Sequence, residues 1–284
     1  RPIVSGRTNG AGFGHSGPGT DTRGDRTMTQ ITLTEHNSIA HLRINRPDKL
    51  NALDAAMMDT LAMRCREIEN STARVVILSG EGRAFCAGGD IDAWSGNTPA
   101  AFADHWVRQG HVAFDALARL LQPVIAVLDG HTLGGGLELA ACADLRIGED
   151  HIKIGQPESA LGIIPGWSGT QRAARRFGTQ AVRRMALMGE VFTAQEALIL
   201  GIIDHVVPSG TAMAKAETMA QRILARSPQA TRLAKMMINA AEGEETGRVI
   251  EAMAGQIAAG SKDLTEGLSA FRAKRSPDFT KEGS

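Results

Sequence analysis

The feature that most narrows the fold is an alternation of two kinds of segment. "RVVILSG" (residues 74–80) and "PVIAVLDG" (123–130) are short apolar runs, rich in β-branched residues, that end in glycine. Between them lies a long stretch of helical character from about Ala100 to Leu121. Runs of this length and composition read as buried strands. Strand followed by helix, repeated, predicts an α/β architecture with crossover connections.

Other segments extend the pattern. "ITLTEHNSIAHLRIN" (31–45) reads as two strands around a Glu-His-Asn turn, with Ala40, Leu42 and Ile44 alternating on one face. Met58, Leu61, Ala62, Cys65 and Ile68 recur at helical spacing behind Asp54, a candidate N-cap. After Ser168 the spacing predicts helices over roughly 168–176, 179–188, 194–200, 210–226, 229–241, 244–260 and 263–274, interrupted by one strand in "GIIDHVVP". An α/β core over 28–225 and a helical C-terminal part over 226–284 are expected. Residues 1–27, rich in Gly, Arg, Ser and Thr and without periodicity, read as a disordered extension or tag, with Met28 the first structured residue.

Composition removes several function classes. The 31 basic and 31 acidic residues balance, and no Lys/Arg run dominates a segment, which argues against a nucleic-acid partner. No apolar stretch reaches membrane-spanning length, so no membrane partner is expected. Three cysteines without CxxC spacing predict no disulfide framework and fit a reducing, cytoplasmic setting. The eight histidines are scattered, so no metal is expected.

The segment "LDGHTLGGGLELAACADL" (128–145) concentrates the candidate chemistry. Glycines 134–136 stand between a strand and a helix. Two readings stand: they present free backbone N–H groups to an anion, or they only let helix and strand pack closely. Glu138 follows among Leu137, Leu139, Ala140 and Ala141. An acid in such surroundings is rare unless paired or functional, and function is the favoured reading. "GRAFCAGGDI" (82–91) is a second glycine loop after a strand; alone it is an ordinary connection. Glu158 in "IGQPESALGIIPGWSGTQR" (154–172) follows Pro157 as at many helix starts. "GWSGT" falls one residue short of a nucleophile-elbow pattern and has no strand directly before it, so a serine hydrolase is set aside.

Taken together with "RPDKLNAL", "TAQEALILGIIDHVVP" and "EGLSAFRAKRSPDF", these segments resemble, in order and spacing, the enoyl-CoA hydratase/isomerase (crotonase) family over everything after Met28. The resemblance implies a crotonase-type spiral of repeated ββα units with a helical C-terminal trimerisation region, giving homotrimers or hexamers. It implies an acyl-CoA thioester ligand, with coenzyme A part of the substrate and no separate cofactor. It places an oxyanion hole of two backbone N–H groups at Gly89 and Gly135, two catalytic glutamates at Glu138 and Glu158, and a water-positioning backbone at Gly166. It matches CoA-contacting loops to Lys49, Leu50, Ala87, Asp90 and Ile91, with Phe271 and Lys274 reaching a neighbouring subunit's CoA.

Retention of both glutamates makes a 2-enoyl-CoA hydratase the leading expectation. A double-bond isomerase working through Glu158 is the runner-up, and a non-catalytic CoA-thioester binder or RNA-binding protein on the same fold is the alternative of a different class. Trp167-Ser168 stands where hydratases often carry small residues; Trp167 either reshapes the acyl end of the pocket or packs in the core. The stretch "DAWSGNTPAAFADHWVRQGH" (92–111) is expected to border that pocket.

Overall fold

A computed structural model describes residues 30–280. The expected extension over 1–27 lies outside the described residues. Ten strands occur in chain order: β1 (Ile31–His36), β2 (Ile39–Ile44), β3 (Val75–Gly80), β4 (Ala84–Cys86), β5 (Val124–Leu128), β6 (His131–Leu133), β7 (Leu145–Glu149), β8 (Lys153–Gly155), β9 (Val191–Thr193) and β10 (His205–Val207). They form a six-stranded sheet, β1-β2-β3-β5-β7-β10, and a four-stranded sheet, β4-β6-β8-β9.

The hairpin β1-β2 is antiparallel, and its turn falls on Asn37 and Ser38, both in the left-handed region (φ 51° and 62°). Such a pair matches the strand twist of a tight hairpin. From β3 onward a unit repeats. Each of β3, β5 and β7 in the large sheet is followed directly by β4, β6 or β8 in the small one, then by helix. Within each sheet these strands pair in parallel, so the chain climbs as a spiral of ββα turns.

Both faces of the large sheet are covered, which explains its continuous apolar runs. Val76, Leu78, Val124, Ala126 and Leu128 face the main core. Val75, Ile77, Ile125 and Val127 face the opposite way, onto Ala212, Ala216, Met219 and Ala220 of the helix Ala212–Leu224. The helix Ala55–Glu69 begins as expected, with Asp54 accepting from the Met57 N–H at 2.9 Å.

Two expectations need correction. "GIIDHVVP" is not the sole strand after Ser168, since β9 also forms and pairs antiparallel with β8. Three residues show no alternation; pairing with β8 creates the strand. The helix expected from Ala100 to Leu121 is interrupted. A short turn at Pro99–Ala101 runs into a π-helical turn at Phe102–Val107 before the regular helix Arg108–Ala118.

The C-terminal helices Pro228–Ala241, Thr246–Ala259 and Lys262–Arg272 follow. Their dock on the core is polar. Arg172, 1% exposed, pairs with Glu244 in the turn between the first two helices and with Asp115 at 2.6 Å. Arg175 also reaches Glu244, at 2.6 Å. Burial opposes ionisation of Glu244, yet the Arg172 and Arg175 guanidiniums hold its pKa down to about 2.

Candidate active site

The site begins at the ends of β4 and β6. Their parallel pairing (Ala84 opposite His131, Cys86 opposite Thr132) brings the loop Ala87–Gly89 beside Gly134–Gly136. The two loops touch backbone to backbone: a Cβ on Gly88 would lie 3.1 Å from the Gly135 nitrogen, and one on Gly136 only 2.0 Å from the Cys86 carbonyl oxygen. Gly88 (φ 106°) and Gly134 (φ 54°) adopt backbone conformations that L side chains rarely take. Each immediately precedes a glycine, Gly89 or Gly135, whose N–H enters no loop, turn or cap hydrogen bond among the described residues. Two free donors on adjacent strand ends can bind one oxygen between them.

The three consecutive glycines therefore serve three ends. Gly134 supplies the turn, Gly135 an unengaged N–H, and Gly136 the close approach to β4. The close-packing reading holds at Gly136, and the Gly135 N–H is left unengaged.

A cavity of about 320 Å³ opens in front of these donors. Its wall is largely apolar, and two carboxylates enter it, Glu138 and Glu158. Glu138, on the helix Gly135–Ala140, is 2% exposed. Its Oε1 accepts from the Trp167 N–H at 2.6 Å and the Gly169 N–H at 2.7 Å. Ser168 between those donors has φ 75°, so successive N–H groups converge as a small anion nest around the carboxylate. Burial first, and then the charge of Glu158, push the Glu138 pKa up to about 8; the two N–H donors and Arg172 act in the opposite direction.

Glu158 opens the single turn Glu158–Leu161 behind Pro157, so its helix-start appearance was real. Its carboxylate is nonetheless 8% exposed, and neither oxygen has a hydrogen-bond partner. Burial raises its pKa to about 7. Glu158 Oε1 lies 3.1 Å from where a Cβ on Gly134 would stand, which sets it against the same glycine turn. Two buried carboxyls that both titrate near neutrality can hold one proton between them.

The sequence profile of the enoyl-CoA hydratase/isomerase family matches residues 34–282. The chain belongs to the enoyl-CoA hydratase/isomerase family. It is 40% identical over 255 residues to an enoyl-CoA hydratase/isomerase of Bacillus subtilis, covering 86% of this chain and 95% of that one. Identity to the crotonyl-CoA hydratase of Syntrophomonas wolfei is 35% over 255 residues, covering 88% of this chain and 97% of that one. Among solved structures, an enoyl-CoA hydratase from Bacillus anthracis superposes with a TM-score of 0.73 at 34% identity, covering 89% of this chain and 100% of that one.

The positions nominated by the family resemblance divide in two. Gly89, Gly135, Glu138, Glu158 and Gly166 line the one cavity, as do Ala87 and Ile91. Leu50 stands beside them, its carbonyl accepting from the Ala87 N–H at 3.0 Å. Others have different surroundings. Lys49 Nζ pairs with Asp92 at 2.9 Å on the surface. The Asp90 carboxylate is buried, bonded to Arg46 at 2.8 Å and capping the turn Ile91–Trp94. Phe271 is 83% exposed at the end of the helix Lys262–Arg272, and neither it nor Lys274 lines the cavity of its own chain.

Trp94, Phe102, Trp106 and Trp167 supply the aromatic wall of this family member. Trp94, Phe102 and Trp106 were not singled out from sequence, although the stretch holding them was expected to border the pocket. Among the described residues no His, Cys, Asp or Glu side chains cluster as a metal site would require, and no helix is long and apolar enough to cross a membrane.

Proposed function

We propose that the protein is a 2-enoyl-CoA hydratase that adds water across the Cα–Cβ bond to give a 3-hydroxyacyl-CoA. The observation that carries this reading is the presence of two buried carboxylates, Glu138 and Glu158, in one apolar cavity beside two unengaged backbone donors. Hydratase-named relatives support it.

In this mechanism the thioester oxygen sits between the Gly89 and Gly135 N–H groups. As water attacks Cβ, electron density moves from the double bond onto that oxygen, where the donors stabilise the enolate more than the ground state. The step requires the pair's proton on Glu158. Burial and the Glu158 charge favour protonated Glu138, so Glu138 acts once that proton has passed to Glu158. The Trp167 and Gly169 N–H groups then hold its ionised form, and it takes a proton from the water. Glu158, whose oxygens receive no donor, delivers one to Cα. The hydroxyl ends on Cβ, and one proton has passed from the acid pair to carbon while another has replaced it. Gly166 lines the cavity beside the carboxylates and is the backbone proposed to orient the water. Coenzyme A enters as part of the substrate.

A second reading has one specific observation in its favour. Glu158 is the carboxylate without hydrogen-bond partners, and a single base free of competing donors is what a double-bond isomerase needs. Loss of ultraviolet absorbance of crotonyl-CoA separates the two. Hydration predicts rapid loss with the wild type and none with either Glu138→Ala or Glu158→Ala. An isomerase predicts no hydration, with 3-enoyl-CoA conversion that survives Glu138→Ala.

The reading includes assembly as a homotrimer, alone or paired into a hexamer. Ile250 and Ile257 on one C-terminal helix and Leu264, Leu268 and Phe271 on the next are exposed in the single chain. A row of this kind is what an intersubunit surface leaves bare in one protomer. Phe271 and Lys274 would then meet a neighbour's CoA. Sedimentation of the wild type as a monomer would refute this part.

A further inference from the structure

Resting on the enoyl-CoA reading, we infer that Trp167 sets the acyl preference of this enzyme, restricting it to short, uncharged acyl groups. The indole is built into the cavity wall and is 4% exposed. Behind it, Gly110 on the helix Arg108–Ala118 provides the notch that admits the ring: a Cβ there would lie 2.1 Å from Trp167 Nε1. Phe114, one turn further along, meets the ring edge-on with centroids 5.2 Å apart. The indole N–H donates to the Trp106 carbonyl at 3.3 Å.

On the other side, ring carbons of Trp167 lie 2.7 Å and 3.2 Å from where Cβ atoms on Gly135 and Gly89 would stand. The bicyclic side chain is thus clamped between a helix and the two glycines proposed to hold the thioester oxygen. An acyl group attached to that thioester is placed against two indoles, Trp167 beside Gly135 and Trp106, whose ring carbon lies 2.8 Å from the Gly89 Cβ position. Trp106, 5.1 Å away between centroids, continues the wall. The wider π-turn Phe102–Val107 turns Phe102, Trp106 and Val107 together onto the cavity.

The wall also carries a charge restriction. No Lys, Arg or His is among the residues lining the cavity. A carboxylate at the far end of an acyl group would lose hydration without gaining a cationic partner.

All three tryptophans of the chain line this cavity, so quenching of intrinsic fluorescence reports its occupancy. Saturated acyl-CoAs give a measure of size that does not depend on which reaction is catalysed. Butyryl-CoA is expected to bind the wild type at least roughly tenfold more tightly than decanoyl-CoA, and hexanoyl-CoA roughly tenfold more tightly than adipoyl-CoA. Trp167→Ala is expected to raise decanoyl-CoA affinity by about tenfold or more while leaving adipoyl-CoA weak. Trp167→Phe, which keeps an aromatic ring in place, is expected to fall between, and it decides the matter if the alanine variant does not fold. Gly110→Ala should act with the opposite sign, pushing the indole forward and weakening butyryl-CoA.

A chain-length profile that is the same in the wild type and both Trp167 variants overturns the proposal, as does equal binding of hexanoyl- and adipoyl-CoA. The expected size profile without any turnover of crotonyl-CoA would uphold the role of Trp167 while refuting hydration.

Discussion

Gly169 donates its backbone N–H to Glu138 Oε1 at 2.7 Å from a position where no side chain fits. A Cβ at residue 169 would stand 2.6 Å from that same oxygen and 2.3 Å from Gln156 Nε2. The donor and the lack of a side chain are two halves of one device that holds the carboxylate. Gly169→Ala is therefore expected to displace Glu138 and lower kcat by about 100-fold, because small misplacements of catalytic groups are costly. KM should change far less, since the proposed thioester donors at Gly89 and Gly135 and the cavity wall remain. Steady-state kinetics on crotonyl-CoA, with circular dichroism to confirm folding, check this; an unchanged kcat would remove the positioning role of the nest.

Buried glutamates also leave a signature in stability. Glu138 and Glu158 rise from an ordinary value of 4.5 to about 8 and about 7, so the native chain holds protons that the unfolded chain releases. As pH climbs from near 4.5 through the folded values, stability is lost; below that window both states are protonated and no penalty remains. For Glu158 the loss is on the order of 3 kcal/mol, at about 1.4 kcal/mol per unit. Glu158→Gln removes the ionisation, so its Tm should gain on the wild type as pH rises from about 4.5 through about 7. A Tm difference that stays constant with pH would contradict the assignment.

The buried pair of Arg172 and Glu244 makes a prediction about the dock between core and C-terminal helices. Glu244→Ala leaves the Arg172 guanidinium, 1% exposed, with only Asp115 as a charged partner. Removing one member of a buried ion pair typically costs about 3–5 kcal/mol. The urea midpoint should fall accordingly at constant m-value. A loss below about 1 kcal/mol would mean that water already reaches this arginine.

Gly136 is tested by size alone. Its Cβ would meet the Cys86 carbonyl oxygen at 2.0 Å, and that oxygen belongs to a strand that cannot retreat without disturbing the small sheet. Gly136→Ala is expected to destabilise by roughly 1–3 kcal/mol through overpacking, read as a lowered Tm. The same substitution should also separate the two donors proposed to hold the thioester oxygen and reduce activity. Full activity with native Tm would show that the helix start can slide outward.

The readable parts of the sequence were those whose local pattern and tertiary environment agree. Val75–Gly80 and Val124–Leu128 could be read as strands because both faces are buried, leaving no polar interruption. Glu138 stood out because its neighbours are apolar. Strands β4, β6, β8 and β9, three residues each, carry no alternation and exist through their partners. Glu158 looked like a helix start and is one; only the spiral reveals that its carboxylate also turns into the cavity. The aromatic wall escaped for a similar reason. Phe102 and Trp106 share a surface with Val107 because the helix widens there, and nothing in "AFADHWVRQG" announces that widening.

The paired ends of β4 and β6 separate two tasks that share this cavity. The donors at Gly89 and Gly135 are main-chain atoms, and their spacing is set by strand register, not by any side chain. Residues 138, 158 and 167 reach the same space through their side chains. A library randomised at those three positions would leave the proposed thioester grip in place while varying what is done to a bound acyl group. The fold thus offers a fixed clamp with exchangeable tools, and selection for a new reaction on acyl-CoA could begin from three codons.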